Sequence, residues 1–321
     1  MHFLCFYKKC ICLKVLTPSF GVLEMHIMDT TTTILNLTEE ELVHPGNRAC
    51  SGCGLSIVYR MGLKALGTNT ILVVPPSCLT VLQGLYPVAS TKLPCVNVTF
   101  ASTGAAATGV RAAMKALKKD GVNVVAWAGD GGTGDIGIQA LSGACERNED
   151  IIYICYDNEA YMNTGIQRSG TTPQGVLTTT TPIKGKLQEK KDIPAIIAAH
   201  GIGYVATASA AYPLDLYDKV KKATTLSGPR YIHVHTPCPP GWGFDTRFTI
   251  KVGKLAVESG LFDLYEIEDG QFSLTGPSKR LLGKTRKPVR DYFATQGRFK
   301  SLDPELLARV QEKVDAKWAE Y

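Results

Sequence analysis

The sequence predicts an α/β protein, a mostly parallel sheet flanked by helices, followed by a C-terminal tail that wraps the core or a partner. Three observations predict it. Short apolar runs suited to strands alternate with helix-period segments between residues 50 and 235. Two of those runs, 122–128 and 151–156, are apolar almost throughout, as strands buried on both faces of a parallel sheet are. No internal repeat points to a solenoid or propeller instead.

Taken in order, residues 38–43 are a short acidic lead-in expected to make one helical turn, followed by a turn at Pro45-Gly46-Asn47. Residues 50–66 begin as a loop and become a helix through Ile57, Met61 and Ala65, which recur on one face. The run 70–74 is a strand stopped by Pro75-Pro76, and 97–100 is another short strand. Residues 104–118 form a helix so rich in Ala and Gly that its packing must be close. Strand 122–128, helix 137–147 and strand 151–156 follow. Helix 193–200, strand 203–206, helix 212–225 and strand 230–235 continue the alternation as far as Thr236-Pro237-Cys238-Pro239-Pro240. After Gly253 the pattern fades. Residues 264–274 read as a hairpin turning at Asp269-Gly270, and 304–319 as a helix with Asp303 as N-cap ahead of a proline at its first position. The expected organisation is an N-terminal extension over 1–43, an α/β domain over 44–255, and a C-terminal extension over 256–321 that packs on the core or on partner subunits.

Composition narrows the function classes. The chain has 321 residues, 45% apolar and 20% charged, ordinary for a globular protein with a sizeable core. No run approaches the roughly 18 uninterrupted apolar residues of a membrane span. A net charge of +6 is too mild to imply nucleic acid. Basic residues bunch at 184–191 and 279–290 and are read as solvated surface. Lys8, Lys9 and Lys14 interrupt any signal-peptide core, so residues 1–24 are expected to be a poorly ordered extension or a mis-assigned start ahead of Met25 and Met28. Cys5, Cys10 and Cys12 receive no role. The other seven of the ten cysteines show no regular disulfide spacing and fit a reduced cytoplasmic protein.

The chemistry concentrates at strand ends. Gly129-Asp130-Gly131 closes one buried run and Asp157-Asn158 closes the next, so both emerge at one edge of a parallel sheet, where ligands bind. An aspartate between glycines repels a bare diphosphate but suits one that arrives with Mg²⁺. The glycines let the backbone come close to the ligand. The spacing Gly129-x-Gly131-x-x-Gly134 also fits a dinucleotide fingerprint, with Asp157 as its ribose-binding acid, and a purely structural glycine turn is the remaining alternative.

Cys50-Ser51-Gly52-Cys53 is a CxxC pair before a helix; alone it fits half a zinc knuckle, a redox dithiol or part of an iron–sulfur site. Cys78 and Cys238 each follow an apolar strand and would emerge at the same sheet edge, so four thiolates there can hold a [4Fe–4S] cluster. A zinc ribbon usually has two such knuckles, and this chain has one. Cys95, Cys145 and Cys155 are read as small buried apolar residues, and His233 and His235 as core or sheet-edge residues rather than metal ligands.

The Gly129-Asp130-Gly131…Asn158 pattern resembles the signature of thiamine diphosphate enzymes. That resemblance implies that Asp130, the Asn158 side chain and the Ala160 carbonyl carry Mg²⁺, while Gly129, Gly131 and Gly132 admit the diphosphate. With the cysteines it becomes narrower. Residues 47–54, Cys78 and residues 236–242 resemble the cluster motifs of the β subunit of pyruvate:ferredoxin oxidoreductases. The run 156–167 is similar to that family's diphosphate loop, with Asn163 and Thr164 on it, and the likeness covers roughly residues 44–321, including Gly297-Arg298-Phe299 and the last helix. It implies a [4Fe–4S] cluster on Cys50, Cys53, Cys78 and Cys238, and a substrate-facing Asn163 whose amide binds a developing oxyanion. It also implies oxidative decarboxylation of pyruvate, coenzyme A as acyl acceptor and ferredoxin as electron acceptor. The implied partners are an α subunit that supplies the glutamate for the aminopyrimidine ring, a coenzyme-A-binding γ subunit and a ferredoxin-like δ subunit. The chain alone is expected to be inactive. One departure stands out: Gln174-Gly175-Val176-Leu177 occupies the place of a stretch with aromatics ending Gly-Ala-Trp, in a loop expected to line the route to the site. That leaves room for another 2-oxoacid, such as 2-oxoisovalerate, 2-oxoglutarate or oxalate. Rival expectations are a cluster-free thiamine decarboxylase or synthase, and a zinc-stapled scaffold that binds nothing.

Overall fold

A single eight-stranded sheet organises the computed structural model, which describes residues 32–321. The expectations for the extension up to residue 31, including its three cysteines and the alternative starts, lie outside the described residues. The strands are β1 (Thr70–Val74), β2 (Cys95–Asn97), β3 (Asn123–Gly129), β4 (Ile152–Asp157), β5 (Tyr204–Ser209), β6 (Arg230–His235), β7 (Tyr265–Glu268) and β8 (Gln271–Leu274). Their spatial order is β2-β1-β3-β4-β6-β5-β7-β8. The first six pair in parallel, while β7 and β8 extend the sheet antiparallel beyond β5. Strands β4, β5 and β6 are buried at every residue; β4 runs apolar as far as Asp157, while β5 and β6 also bury Thr207, Ser209, Arg230, His233 and His235.

Helices cover both faces. In chain order they are α1 (Gly54–Leu66), α2 (Cys78–Gln83), α3 (Thr103–Ala116), α4 (Ile138–Glu146), α5 (Ile193–Ala198), α6 (Pro213–Ala223), α7 (Pro239–Trp242), α8 (Thr249–Glu258), α9 (Gly276–Arg280), α10 (Val289–Phe293) and α11 (Pro304–Ala319). Successive strand side chains point to opposite faces. Val125 and Trp127 therefore join Leu55, Tyr59 and Leu63 of α1 and Leu216 and Val220 of α6 in one core. Val124, Ala126 and Ala128 join Leu141 of α4 and Ile193 and Ile197 of α5 in the other. A third core gathers Trp242, Val252, Tyr292, Phe293, Phe299, Val314 and Trp318 from the last third of the chain. The Gly-rich helix α3 does pack closely: a Cβ on Gly104 would stand 2.8 Å from the Ala140 carbonyl of α4.

The structure corrects several element boundaries. Residues 38–43 form no helical turn; Val43 makes a single bridge to Thr91, and a one-turn 3-10 helix lies earlier, at Ile34–Asn36. Strand β2 spans 95–97 rather than 97–100, because Ser102 N donates to Thr99 O at 3.1 Å and the chain has already turned toward α3. Helix α2, starting at Cys78, occupies a stretch to which no element was assigned, and α8 runs past Gly253 to Glu258. Strand β5 extends to Ser209. The hairpin turns at Asp269-Gly270, both with positive φ, and Asp303 caps α11 by accepting from Glu305 N at 3.0 Å. Among the described residues no helix is long and apolar enough to cross a membrane.

Candidate functional site

The chain steps from β1 outward to β2 and then crosses back to β3 on the other side of β1, so the direction of winding reverses between β1 and β3. A crevice opens beyond the carboxyl ends of the strands at such a switch point. Here it is a pocket of about 470 Å³ between the segment after β1 (Pro76, Ser77, Cys78), the turn after β3 and the loop after β4. Gly129, Asp130, Gly131, Gly132, Asn158, Ala160, Asn163 and Thr164 all line it. After β3 the chain enters a π-helical turn, Gly131–Asp135, that leads toward α4. Gly131 lies against the Tyr161 ring, with no room for a Cβ.

Asp130 is 1% exposed at the floor of this pocket. Its Oδ2 accepts from Ser169 Oγ at 2.6 Å and lies 2.7 Å from Thr171 Oγ1. The same Thr171 hydroxyl lies 2.8 Å from Asp157 Oδ1, so it bridges two buried carboxylates. Burial, and then the charge of Asp157, push the Asp130 carboxyl up to about 8. Asp157 goes the other way. Burial alone would raise it, but Lys190 Nζ at 2.8 Å and His233 Nε2 at 3.0 Å hold it well below the usual carboxylate range.

The other Oδ of Asp130 faces the Asn158 amide oxygen at 3.2 Å, and that amide oxygen lies 3.0 Å from the Ala160 carbonyl. Three oxygens thus converge on one point, while the Asn158 amide nitrogen faces Cys78 Sγ at 4.0 Å. Turning the amide end for end would make two hydrogen bonds of these contacts. With the amide oxygen turned toward them instead, the three oxygens would suit a hard cation.

A second pocket, of about 510 Å³, adjoins the first and is lined by Cys50, Cys53, Cys78 and Cys238. The fold brings them there from four places: Cys50 from a turn, Cys53 from the residue before α1, Cys78 from the first residue of α2 and Cys238 from the residue before α7. The loops are tied together, since Gly54 N donates to Pro237 O at 3.2 Å and Thr249 Oγ1 donates to Gly52 O at 2.6 Å. The thiols are free, and burial pushes those of Cys78 and Cys238 up to about 12. Among the described residues, no group of three or more His, Cys, Asp and Glu is drawn together tightly enough to hold a single metal ion. Cys78, Asn158 and Asn163 line both pockets.

Other expectations are corrected. Asp157 is wholly buried and fully engaged, so it cannot reach a ribose. His233 and His235 are core residues as expected: His233 bonds to Asp157 and to the Tyr231 hydroxyl at 2.8 Å, and burial pushes the His235 ring down to about 4 and leaves it neutral. Three of the four lysines in the basic run 184–191 are tied to protein partners rather than only to solvent. Lys186 Nζ is buried against the carbonyls of Gly170, Thr172 and Glu189, Lys190 bridges Asp157 and Glu159, and Lys191 pairs with Asp135. The stretch 174–177 lines neither pocket: Val176 is buried in the third core, and Gly175 and Leu177 bond to Lys186 and Arg298. The threonine run 178–181 that follows it braces the pocket loop, with Thr179 Oγ1 donating to Gly165 O at 2.8 Å. Ser169, Thr171, Lys190 and Arg298 were given no part in the site by the sequence. The hydroxyl-rich Ser169-Gly170-Thr171-Thr172 is their one local trace.

Comparison with known proteins agrees with this geometry. Residues 82–234 match the model of the thiamine pyrophosphate enzyme C-terminal TPP binding domain, so the sheet and its switch-point pocket define a thiamine diphosphate-binding domain. The four cysteines lie outside that stretch. The chain is 52% identical over 286 residues to pyruvate synthase subunit PorB of Methanothermobacter thermautotrophicus, covering 88% of this chain and 98% of that one. It is 44% identical over 304 residues to ketoisovalerate oxidoreductase subunit VorB of Pyrococcus abyssi, covering 92% and 96%. A solved 2-oxoglutarate:ferredoxin oxidoreductase from Magnetococcus marinus shares the fold, with a TM-score of 0.54 at 24% identity over 67% of this chain and 70% of that one. The chain belongs to the β-subunit family of the 2-oxoacid:ferredoxin oxidoreductases, and is a member of an oxidoreductase complex.

Proposed function

We propose that this chain is the β subunit of a pyruvate:ferredoxin oxidoreductase and holds thiamine diphosphate and a [4Fe–4S] cluster side by side. The observation that carries this reading is the wall shared by the two pockets, made by Cys78, Asn158 and Asn163. Asp130, the Asn158 side chain and the Ala160 carbonyl would hold Mg²⁺; a buried carboxylate beside a side-chain amide and a backbone carbonyl is a donor set that suits a hard cation. Gly129, Gly131 and Gly132 leave room for the diphosphate, and Thr164 stands at its rim. Cys50, Cys53, Cys78 and Cys238 would hold the cluster. Burial keeps the thiols of Cys53, Cys78 and Cys238 protonated until iron displaces the protons.

Bound there, thiamine diphosphate supplies the carbanion chemistry that releases CO₂ from a 2-oxoacid. Asn163 is exposed where the pockets meet and presents its amide to the substrate oxygen. Coenzyme A is the proposed acyl acceptor and ferredoxin the electron acceptor. The α, γ and δ subunits complete the complex, and the α subunit supplies the glutamate for the aminopyrimidine.

Pyruvate is favoured because the relatives named pyruvate synthase reach 52% identity. The likeness to VorB at 44% makes 2-oxoisovalerate the second reading. Reduction of a low-potential dye by the anaerobically purified complex, supplied in turn with pyruvate, 2-oxoisovalerate, 2-oxoglutarate and oxalate, tests it. Pyruvate should give the highest kcat/KM, and a higher value for another acid overturns the assignment. Zinc in place of iron, with no retained thiamine, would overturn the cofactors as well.

A further inference from the structure

Behind the three converging oxygens lies a clamp built from distant parts of the chain. Glu159 sits between Asn158 and Ala160 with φ +63°, a backbone state that L side chains rarely occupy unless their surroundings enforce it. Its side chain is buried, and each oxygen has its own cation: Lys190 Nζ at 2.6 Å from Oε1 and Arg298 at 2.6 Å from Oε2. Lys190 also reaches Asp157 on the far side of Asn158. Arg298 lies 3.8 Å over the Trp242 ring, and Trp242 Nε1 donates to the Asn158 carbonyl at 2.8 Å. Residues 157, 158 and 159 are thus each held from behind, which leaves the Asn158 amide and the Ala160 carbonyl turned to Asp130.

We infer that Lys190 and Arg298 are positioning residues for the metal: by gripping Glu159 they enforce the left-handed turn that presents the Asn158 and Ala160 oxygens to the cation. The inference rests on the reading that those oxygens bind Mg²⁺. Neither cation touches the three oxygens, so both act through Glu159. Partners of this kind behind metal ligands typically change metal affinity 10- to 100-fold when removed. Through Arg298 the C-terminal segment, remote in sequence, gains a direct hold on the cofactor loop.

The test uses the anaerobically purified complex carrying wild-type chain, Lys190→Gln, Arg298→Gln or Arg298→Lys. Thiamine diphosphate bound at equilibrium is measured across a Mg²⁺ titration, with KM for pyruvate and iron content read on the same preparations. The glutamine variants should need about 10- to 100-fold more Mg²⁺ for half-saturation, with KM at saturating Mg²⁺ and iron content unchanged. Arg298→Lys, which keeps the charge, should recover part of the loss. Glutamine variants with the wild-type Mg²⁺ dependence overturn the inference, as does a loss shared equally by iron and KM, which marks general damage. Should Arg298→Gln fail to assemble, Glu159→Gln removes the charge both cations grip and must show the same shift. A wild-type complex that binds no thiamine diphosphate would instead overturn the metal reading itself.

Discussion

Replacing Gly131 by alanine isolates one steric contact at the base of the diphosphate pocket. Gly131 is in a right-handed turn, so alanine meets no backbone penalty there. Its Cβ, however, would lie 2.7 Å from Tyr161 Cδ1 and 2.8 Å from Cζ, with Cε1 closer still, so the ring must retreat by roughly 1 Å. The ring is not free to do so. Its hydroxyl donates to Asp135 Oδ2 at 2.9 Å, and Asp135 is itself fixed by Gly170 N at 2.9 Å and Lys191 at 3.0 Å. Overpacking costs about 1–3 kcal/mol, and a lost bond to a charged acceptor about 1.5–3 kcal/mol. Relief requires the ring to give up that bond and swing into the pocket it lines, and cofactor binding must then push it back. About 3 kcal/mol charged to binding weakens thiamine diphosphate by roughly two orders of magnitude. Calorimetric titration of the complex with thiamine diphosphate at saturating Mg²⁺ reads this directly. The double variant Gly131→Ala with Tyr161→Ala should regain most of the loss. Wild-type affinity in Gly131→Ala would refute the steric reasoning.

Two further predictions concern the buried carboxylates. Because Asp130 titrates near 8 in the metal-free chain, Mg²⁺ must displace its proton at lower pH. Apparent Mg²⁺ affinity should therefore fall about tenfold for each unit below pH 8 and level off above it, measured above about pH 7, where phosphate has lost its last proton; a flat profile contradicts it. The stability sign agrees. Asp130 is raised above its ordinary 3.8, so its contribution is full at acid pH and is lost as pH rises through about 8. Asp157 is depressed, so its contribution is present above the ordinary value and is lost as pH falls below it. Thr171→Val removes the hydroxyl that mediates between the two and should weaken Mg²⁺ about tenfold or more in the same binding titration. An unchanged titration would mean the bridge is dispensable.

The sheet was legible because burial on both faces leaves a plain mark: 122–128 and 151–156 are apolar almost throughout and became β3 and β4. Helix α2 was not legible, since six residues behind two prolines carry too few turns to show a period. At the site, the residues that sit on strand ends could be read in place, because Asp130 and Asn158 are carried by the chain segments that build the pocket. Ser169, Lys190 and Arg298 could not. They reach the site across long sequence separations by side chains alone, and nothing local distinguishes Lys190 from a surface lysine. The run 184–191 misled for that reason: charge clustering predicts solvation, while the ion pairs that draw Lys190 inward exist only in the folded chain.

Iron and thiamine counted together on one preparation test the side-by-side arrangement most directly. In the anaerobically purified complex, Asp130→Ala should lose thiamine diphosphate and keep its iron, while Cys238→Ser should lose the iron of one cluster per chain and keep its thiamine. If Asp130→Ala retains thiamine, or if Cys238→Ser leaves the iron content at the wild-type value, adjacent cofactor and cluster pockets are not what this chain provides.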